Sequence, residues 1–219
     1  MLGVAGDTAE LDGFAASWDR LEVDGFMADG GRYRRRRLAN FTARFGVPGH
    51  LRGEHQPHFQ AVVHNTLNGG VDRWFAPVED AVGASAPVRA LLDLGRELAD
   101  ALQPGQDWFV ELHQFRIEAQ AGAAGYPTPE GVHHDGVDLV LIAMLARTNL
   151  EGGETLITDE AGNELARCTL RDRLDAVLLD DARVKHGVSP IQPADPSRPS
   201  CRDVLVVTWR AKRGRAERV

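Results

Sequence analysis

The sequence predicts an antiparallel β-sandwich or jelly roll, mainly β, with helices packed on its outside. Apolar residues at helical spacing are confined to the first half of the chain, and short apolar or β-branched runs fill the second half. No segment of useful length with helical spacing separates those runs. Because neighbouring parallel strands need a crossover connection, this order favours antiparallel pairing.

Two helices are predicted in the first half. Asp7 and Glu10 have the spacing of a capping box that opens the first helix. Ser85 as N-cap and Pro87 near the first helical position begin the second. Residues 44–84 between them are predicted to be irregular. The predicted buried stripes are Leu11, Phe14, Ala15, Trp18 and Leu21 in the first helix, and Val88, Leu91, Leu92, Leu98 and Leu102 in the second.

Six strands are predicted from Trp108 onward, separated by segments rich in turn-forming residues. The glycine pair 152–153 is interpreted as a hairpin turn that precedes an inner strand. The predicted strands are 108–117, 137–145, 154–158, 176–179, 184–188 and 204–209.

Length and composition indicate one globular domain. The chain has 219 residues, of which 43% are apolar and 26% charged, so disordered, collagen-like and coiled-coil classes are excluded. We expect residues 1–219 to form one domain, with a helical and irregular N-terminal part at 1–107, a metal-binding β core at 108–210 and a basic tail at 211–219.

Charge and hydropathy predict a cytoplasmic protein without nucleic-acid or membrane partners. The net charge is −7, which disfavours binding to a phosphate backbone. The longest apolar run, residues 139–146, is far shorter than the ~20 residues that span a bilayer, and no secretory signal is recognised. Two cysteines, Cys168 and Cys201, match no zinc-site spacing. A homo-oligomer remains open.

Two basic clusters depart from this acidic average. In residues 32–37, strand alternation sends Arg34 and Arg36 to one face and Arg35 and Arg37 to the other. The cluster is interpreted as a solvated strand, with one arginine reaching a substrate or cosubstrate carboxylate as the alternative. The second cluster, residues 210–218, is interpreted as a solvated end.

The residues with the strongest chemical signal are His133, Asp135 and His186. On an extended backbone the first two side chains share a face, and His186 can join them from another strand. Two imidazoles and one carboxylate leave three adjacent metal positions open, which suits non-haem Fe(II) with an oxo-acid and dioxygen. His134, between the first two, must face the opposite way and is predicted not to be a ligand.

An arginine is needed to hold the distal carboxylate of an oxo-acid cosubstrate through paired charged hydrogen bonds. Arg202 lies just before the predicted strand that follows His186 and is the best candidate. Arg198 competes, although Pro199 after it favours a loop.

The sequence Pro-Thr-Pro-Glu-Gly-x-His-x-Asp-Gly at 127–136 resembles the bacterial 2-oxoglutarate/Fe(II) dioxygenases that act on free L-amino acids, the L-isoleucine dioxygenase-like group. Similar segments are His-Gln-Phe-Arg at 113–116, Gly-Gly-Glu-Thr at 152–155 and residues 202–208. The resemblance implies a double-stranded β-helix of the jelly-roll or cupin-like type, Fe(II) on His133, Asp135 and His186, and 2-oxoglutarate on Arg202. Val204 occupies the position where many relatives carry a hydroxyl that shares the cosubstrate carboxylate.

Further candidates for the cosubstrate or substrate site are Arg116, Tyr126 and Thr155. Arg116 would be costly to bury without a carboxylate partner, which a ligand, Glu118 or Glu130 could supply. Tyr126 is either part of a lid that donates a hydrogen bond or a loop aromatic over the barrel mouth. Thr155 begins a predicted inner strand.

Two residues near these segments are interpreted structurally. His113 is predicted to be a core histidine with satisfied hydrogen bonds. The dipeptide 180–181, two aspartates at the end of an apolar run, is interpreted as turn chemistry.

The predicted activity is hydroxylation, or sulfoxidation, of a free L-amino acid or similar small molecule, with 2-oxoglutarate and O2 consumed and succinate and CO2 released. Two other classes stay open. A zinc- or manganese-dependent jelly-roll hydrolase or isomerase would use the same three ligands without oxygen. A non-catalytic module would bind 2-oxoglutarate or an amino acid and release no succinate.

Overall fold

Strands outnumber helices in the molecule and form an antiparallel jelly roll. A computed structural model describes residues 8–65 and 67–212. The helices are Thr8–Ala16 (α1), continued by a 3-10 turn at Ser17–Arg20, Asp80–Gly83 (α2) and Ala86–Leu102 (α3). The strands are Glu22–Val23 (β1), Arg34–Ala43 (β2), Leu51–Arg52 (β3), Trp108–Ala119 (β4), Leu139–Thr148 (β5), Leu150–Gly152 (β6), Thr155–Thr158 (β7), Glu164–Cys168 (β8), Ala176–Asp180 (β9), Lys185–Val188 (β10), Ile191–Pro193 (β11) and Ser200–Ala211 (β12).

The strands are distributed over a main sheet and two smaller ones. The main sheet has the order β1-β2-β4-β12-β5-β9, and β3 pairs with β2 at its edge. The smaller sheets are β10-β7-β8 and β11-β6. All of these strand pairs are antiparallel, which confirms the predicted jelly roll.

Alternation along the main sheet separates a helix-covered face from an inner face. In β12, Leu205, Val207 and Trp209 belong to the apolar cluster shared with α1 and α3, whereas Val204 packs in a second cluster with residues of β5 and β9. Gly95 of α3 allows close approach, because a Cβ there would lie 2.1 Å from the Trp209 ring. The helices therefore cover one face and leave the other face free to line a cavity.

The two predicted helices are confirmed, with corrections at their ends. Phe14, Trp18 and Leu21 are buried as predicted. Glu10 does not close a capping box on its own helix, because its carboxylate accepts a hydrogen bond from the Ala86 backbone N–H, 2.7 Å away at the start of α3. Asp7 lies outside the described residues.

The predicted stripe of the second helix is too long. Leu98 and Leu102 are exposed, whereas Val88, Leu91 and Leu92 are buried. The buried residues in the last turns of α3 are Gly95 and Ala99, so the helix stays covered there and Leu98 and Leu102 lie outside its buried stripe.

All six predicted strands form, β2 includes residues 34–37 of the segment interpreted as a solvated strand, and β8 is among the additional ones. The ten-residue β2 lies in the main sheet between β1 and β4, so the N-terminal part is not only helical and irregular. The glycine pair 152–153 is not a hairpin turn: β6 pairs with β11 and β7 with β10, and both glycines have positive φ where the chain passes from one sheet to the other. Among the described residues no helix has the length and apolar character to cross a membrane.

The basic tail falls mostly outside the structural description. Residues 213–219 are not described, and Arg210 is exposed with its guanidinium 5.2 Å from the centre of the Phe109 ring.

Candidate active site

A cavity of about 120 Å³, the central cavity, lies on the inner face of the main sheet. Its wall is built from β2, β4, β5, β10, β12, residues 127–137 and residues between His58 and Arg73. One part of the wall is apolar and another carries histidines, carboxylates and arginines. In β12, residues 202, 204, 206 and 208 all line it, as strand alternation requires.

His133, Asp135 and His186 meet at one end of this cavity. His133 and His186 form an antiparallel backbone bridge, with N–H to O distances of 2.9 and 3.0 Å, so their rings lie 4.8 Å apart. Asp135 places one carboxylate oxygen 3.5 Å from His133 Nε2 and the other 3.7 Å from His186 Nε2. One donor atom from each residue lies within 4.8 Å of the others, so the three can bind one cation.

The local hydrogen bonds prepare His133 as a metal ligand. Its Nδ1 lies 3.0 Å from the Gly131 carbonyl oxygen, and an N–H on Nδ1 donates to that oxygen. This tautomer leaves the Nε2 lone pair facing Asp135 and available to a metal. Asp135 is followed by Gly136 at φ +78°, where a Cβ would lie 2.5 Å from the His64 ring, so glycine is required at this turn.

His133 and Asp135 shift each other's pKa in opposite directions. Burial lowers the pKa of His133, but the hydrogen bond and charge of Asp135 and the charge of Glu130 outweigh it and raise that pKa to about 9. Burial would raise the pKa of Asp135, but the adjacent histidines bring it well below its usual range. A divalent cation would replace the proton on His133, and two nitrogens with one carboxylate suit Fe(II) with open positions for further ligands.

Asp181 holds the loop that carries Asp135, a contact that its sequence context did not predict. Its buried carboxylate accepts hydrogen bonds from the backbone N–H groups of Asp135, Gly136 and Val137 at 2.8–3.1 Å. Its interpretation as a turn residue left out these contacts, because the loop that Asp181 holds lies 44–46 residues away in sequence. Local spacing contains no signal of that contact.

His134 points away from the three donors. Its Nε2 lies 2.6 Å from the Glu160 carboxylate, on the opposite side of the extended segment, as alternation predicts.

Arg202 provides a buried cation in the central cavity, and among residues 8–65 and 67–212 no carboxylate forms an ion pair with it. It is 2% exposed, and its Nε and Nη2 atoms have no hydrogen-bond partner. Burial, together with the nearby charge of Arg147, lowers its pKa to about 10, so it stays charged at neutral pH. Unsatisfied buried N–H groups are costly, and a carboxylate such as that of 2-oxoglutarate would satisfy them. Arg198, the competing candidate, is exposed.

Two other predicted cosubstrate residues lie outside the cavity lining. Thr155 is buried on the same face as its cross-strand partner Val188, and its hydroxyl has no hydrogen-bond partner, but only Val188 lines the cavity. Tyr126 is exposed, with its ring edge-on to Tyr33 at 5.7 Å, which matches the loop-aromatic alternative.

Arg116 is not at the cavity, which corrects its predicted role. Alternation in β4 places it on the face opposite His113 and Phe115, both of which line the cavity. Its guanidinium forms two hydrogen bonds of 2.7 Å to Asp203 and an ion pair of 2.9 Å with Asp19. The carboxylate that its burial requires is therefore Asp203, a cross-strand neighbour, and neither a ligand nor Glu118 or Glu130.

Arg34 and Arg36 share a face as predicted, but that face is not solvated. Both are buried and line the central cavity, and Arg73 joins them from the segment predicted to be irregular. His113 is buried as predicted and also lines the cavity, with its Nδ1 2.7 Å from Arg36 Nη2.

A jelly roll that holds two histidines, one carboxylate and a buried unpaired arginine in one cavity has the site of the non-haem iron oxygenases that use 2-oxoglutarate. The chain belongs to the 2OG-Fe dioxygenase family, whose profile matches residues 15–208. Enzymes of this family use Fe(II), 2-oxoglutarate and O2.

Two curated relatives are similar to this chain. The 3(1)-hydroxy-L-isoleucine 4-dioxygenase of Pantoea ananatis is 25% identical over 161 residues, covering 72% of this chain and 65% of that protein. The bifunctional enzyme flvA of Aspergillus flavus is 29% identical over 118 residues, covering 48% of this chain and 14% of that protein. The match thus spans less than two thirds of the length of either relative.

Solved structures share the fold. A bsmA homologue from Methylobium petroleophilum PM1 has a TM-score of 0.87 and 37% identity, covering 97% of this chain and 85% of that one. The Fe(II)/α-ketoglutarate-dependent dioxygenase TqaL has a TM-score of 0.76 and 25% identity, covering 99% and 80%. IDO from Bacillus thuringiensis, at 20% identity and a TM-score of 0.80 over 94% and 87%, supports the fold alone.

Proposed function

We propose that this protein oxidises a free L-amino acid by one oxygen atom, with His133, Asp135 and His186 holding Fe(II) and Arg202 holding the distal carboxylate of 2-oxoglutarate. The observation that carries the proposal is the convergence of three metal donors with an unpaired buried arginine in a single cavity. The named activity of the Pantoea relative supports an amino-acid substrate.

Bound Fe(II), with 2-oxoglutarate and O2, supplies the oxidising chemistry, in which 2-oxoglutarate is converted to succinate and CO2. The protein supplies binding, orientation and an environment that limits water. Asp181 keeps the Asp135 loop in position, and the Gly131 carbonyl keeps His133 in the ligating tautomer. Ile142, Val188 and Val206 form an apolar wall suited to a substrate side chain.

The product is a hydroxylated amino acid, or a sulfoxide when the substrate is a thioether. We further propose a cytoplasmic location, where the two free cysteines, Cys168 and Cys201, would stay reduced.

The test is a substrate screen. Purified protein with Fe(II), ascorbate and 2-oxoglutarate is incubated with each of the twenty L-amino acids, and mass spectrometry measures succinate and a gain of one oxygen atom. We expect one or a few amino acids to give both products in equal amounts. If folded, iron-loaded protein binds an amino acid but releases no succinate, the chain is a binding module; if turnover persists without O2, it is a hydrolase or isomerase.

The matched variants are His133→Ala and His134→Ala, because the two histidines are neighbours that point to opposite sides. We expect the first to abolish Fe(II) binding and the second to retain it. Full iron affinity in His133→Ala would remove the metal-site assignment.

A further inference from the structure

The central cavity holds a second group of cations that the proposed iron and 2-oxoglutarate sites do not use. Arg34 and Arg36 from β2 and Arg73 from the segment before α2 all line the cavity, and none is more than 5% exposed. These three residues are called the arginine cluster. Buried arginines are rare unless they are paired, so their presence together needs a physical reason.

Each member of the arginine cluster has one buried nitrogen with no hydrogen-bond partner. These atoms are Nη2 of Arg34, Nε of Arg36 and Nε of Arg73. A buried charged donor without an acceptor costs free energy, which an anionic ligand would recover.

The arginine cluster also has too few carboxylates. Asp24 pairs with two members, at 2.7 Å from Arg34 Nε and 3.7 Å from Arg36 Nη1. Arg73 has no carboxylate within 4.0 Å among residues 8–65 and 67–212, and its Nη2 donates to the Gln60 amide oxygen at 3.3 Å. Burial and then the charge of Arg34 lower the pKa of both Arg36 and Arg73, while Asp24 and Glu111 act in the opposite direction.

The arginine cluster is held in place before any ligand arrives. The Arg36 guanidinium is sandwiched between the rings of Phe75 and Phe115, at 3.6 and 4.4 Å from their centres. Its Nη2 donates to His113 Nδ1 at 2.7 Å. Burial and then the charge of Arg36 hold the pKa of His113 far below its usual range, so this histidine is neutral and acts as an acceptor. A fixed donor array loses little entropy when it binds an anion.

The cavity wall near the arginine cluster does not favour a second metal ion. His58, Glu111 and His113 have donor atoms within 4.8 Å of one another. However, the positive field of Arg36 and Arg73 acts on His113 and opposes a metal ion there. His58 Nδ1 lies 3.0 Å from the Glu111 carboxylate, so these two groups satisfy each other.

The arginine cluster and Arg202 approach the cavity from different segments. Arg34 and Arg202 each lie opposite Ile117, on the two strands that flank β4, so one strand separates them. Arg36 lies two residues further along β2, opposite Phe115, and Arg73 pairs with His58 outside the main sheet. Arg34 and Arg36 therefore enter the cavity from β2 and Arg202 enters it from β12, with β4 between the two strands.

One carboxylate stands between the arginine cluster and the proposed iron ligands. Glu130 lines the cavity, and its Oε1 lies 3.5 Å from His133 Nε2 and accepts a weak hydrogen bond from Asn65 Nδ2 at 3.4 Å. Its Oε2 is buried and has no hydrogen-bond partner. This oxygen can accept a hydrogen bond from a cationic group of a ligand.

We propose that the arginine cluster binds the α-carboxylate of the substrate and that Glu130 binds its α-ammonium group. The inference rests on the proposed function and narrows it: the substrate must carry both groups free, which excludes peptides, N-acylated amino acids, amides and simple amines. The side chain of the substrate is left to the apolar wall at Ile142, Val188 and Val206.

The experiment measures binding as well as turnover. Protein loaded with Fe(II) and 2-oxoglutarate under argon is titrated calorimetrically with the twenty L-amino acids. The amino acid that binds most tightly is then compared with its amide and with its N-acetyl derivative. We expect each derivative to bind at least about 30-fold more weakly, the loss of one charge-assisted contact.

Two variants assign each effect to its residue. In Arg73→Met, the amino acid should bind about 30-fold more weakly and its amide unchanged. In Glu130→Gln, the amino acid should bind more weakly than it does to the wild type, whereas the affinity for the N-acetyl derivative should be unchanged. The affinity for 2-oxoglutarate should stay within twofold in Arg73→Met. Arg35→Met is the matched control, because Arg35 lies in the same strand but pairs with Glu118 outside the cavity lining.

Wild-type affinity for the amide would overturn the carboxylate assignment even if Arg73→Met did not fold. If Arg73→Met binds 2-oxoglutarate and the amino acid more weakly by the same factor, the arginine cluster binds the cosubstrate. That result also overturns the inference. If wild-type protein consumes 2-oxoglutarate but neither binds nor oxidises any amino acid, the proposed substrate class fails together with this inference. If an amino acid is oxidised at the same rate by the wild type, Arg73→Met and Glu130→Gln, this inference is wrong while the proposed function stands.

Discussion

Replacing Arg202 with methionine should change ligand affinity and stability in opposite directions. Arg202 is almost fully buried, lines the central cavity and leaves Nε and Nη2 without hydrogen-bond partners. In the ligand-free protein these unpaired N–H groups lower the free energy of unfolding. In the proposed complex they donate hydrogen bonds to 2-oxoglutarate. Methionine keeps an unbranched apolar side chain in place of the arginine stem and removes the guanidinium group with its charge and donors.

The size of both effects follows from these contacts. An unsatisfied buried polar group costs roughly 1–3 kcal/mol, so Arg202→Met should raise the free energy of unfolding of the ligand-free protein by about that amount. In a chain of this length each kcal/mol shifts Tm by roughly 2–4 °C. Loss of two charged hydrogen bonds, at roughly 1.5–3 kcal/mol each, should weaken 2-oxoglutarate binding by about 100-fold or more.

The measurements are calorimetric unfolding of the metal-free protein and titration of 2-oxoglutarate into Fe(II)-loaded protein under argon. Arg198→Met is the control, because Arg198 is exposed in the loop before β12 and should change neither quantity. A lower Tm in Arg202→Met combined with unchanged 2-oxoglutarate affinity would refute the reasoning, since Arg202 would then be a structural residue whose partners were overlooked.

Three other predictions test the surroundings of the site. Asp181→Asn should weaken Fe(II) affinity about 10- to 100-fold, because Asp181 orients the Asp135 loop, while Asp180→Asn should not; metal titration measures both. Arg116→Met should lower the free energy of unfolding, measured by urea titration, by about 3 kcal/mol, because the buried Asp203 carboxylate loses its ion-pair partner. The same variant should leave the affinity for 2-oxoglutarate unchanged. Since the pKa of His133 is raised to about 9 without metal, Fe(II) binding at pH 7 should release about one proton and tighten about tenfold per pH unit up to about pH 9. Titration in buffers of different ionisation enthalpy measures that proton, and heats independent of the buffer would contradict the prediction.

Patterns within one strand or one helix were sufficient to predict much of the fold. The spacing of Phe14, Trp18 and Leu21 predicted a buried helical stripe because helix periodicity is a local property. Helical spacing did not predict the exposure of Leu98 and Leu102, because the tertiary packing of α3 buries Gly95 and Ala99 in those turns instead. The spacing of His133 and Asp135 likewise predicted that their side chains share a face, since alternation on an extended backbone needs no tertiary information.

The errors have a common physical origin in contacts between distant segments. Arg116 and Arg34 are both arginines at alternating strand positions, and the sequence contains no sign of which sheet face will be covered. The partner of Arg116 is Asp203, its neighbour across the β4–β12 pair, and that pairing exists only after the sheet has formed. Asp181 was interpreted as a turn residue because its three backbone donors lie 44–46 residues earlier in the chain.

The sequence by itself determined the antiparallel jelly roll and the nature of the proposed metal donors, because alternation, helix periodicity and ligand chemistry are properties of residue types at short spacing. Only the tertiary structure decided that Arg34, Arg36 and Arg73 line the same cavity as Arg202 and that each keeps a buried nitrogen without a hydrogen-bond partner. The reason is electrostatic and geometric: a charge becomes a binding group when folding removes its water without supplying a partner, and that outcome depends on every segment that packs around it.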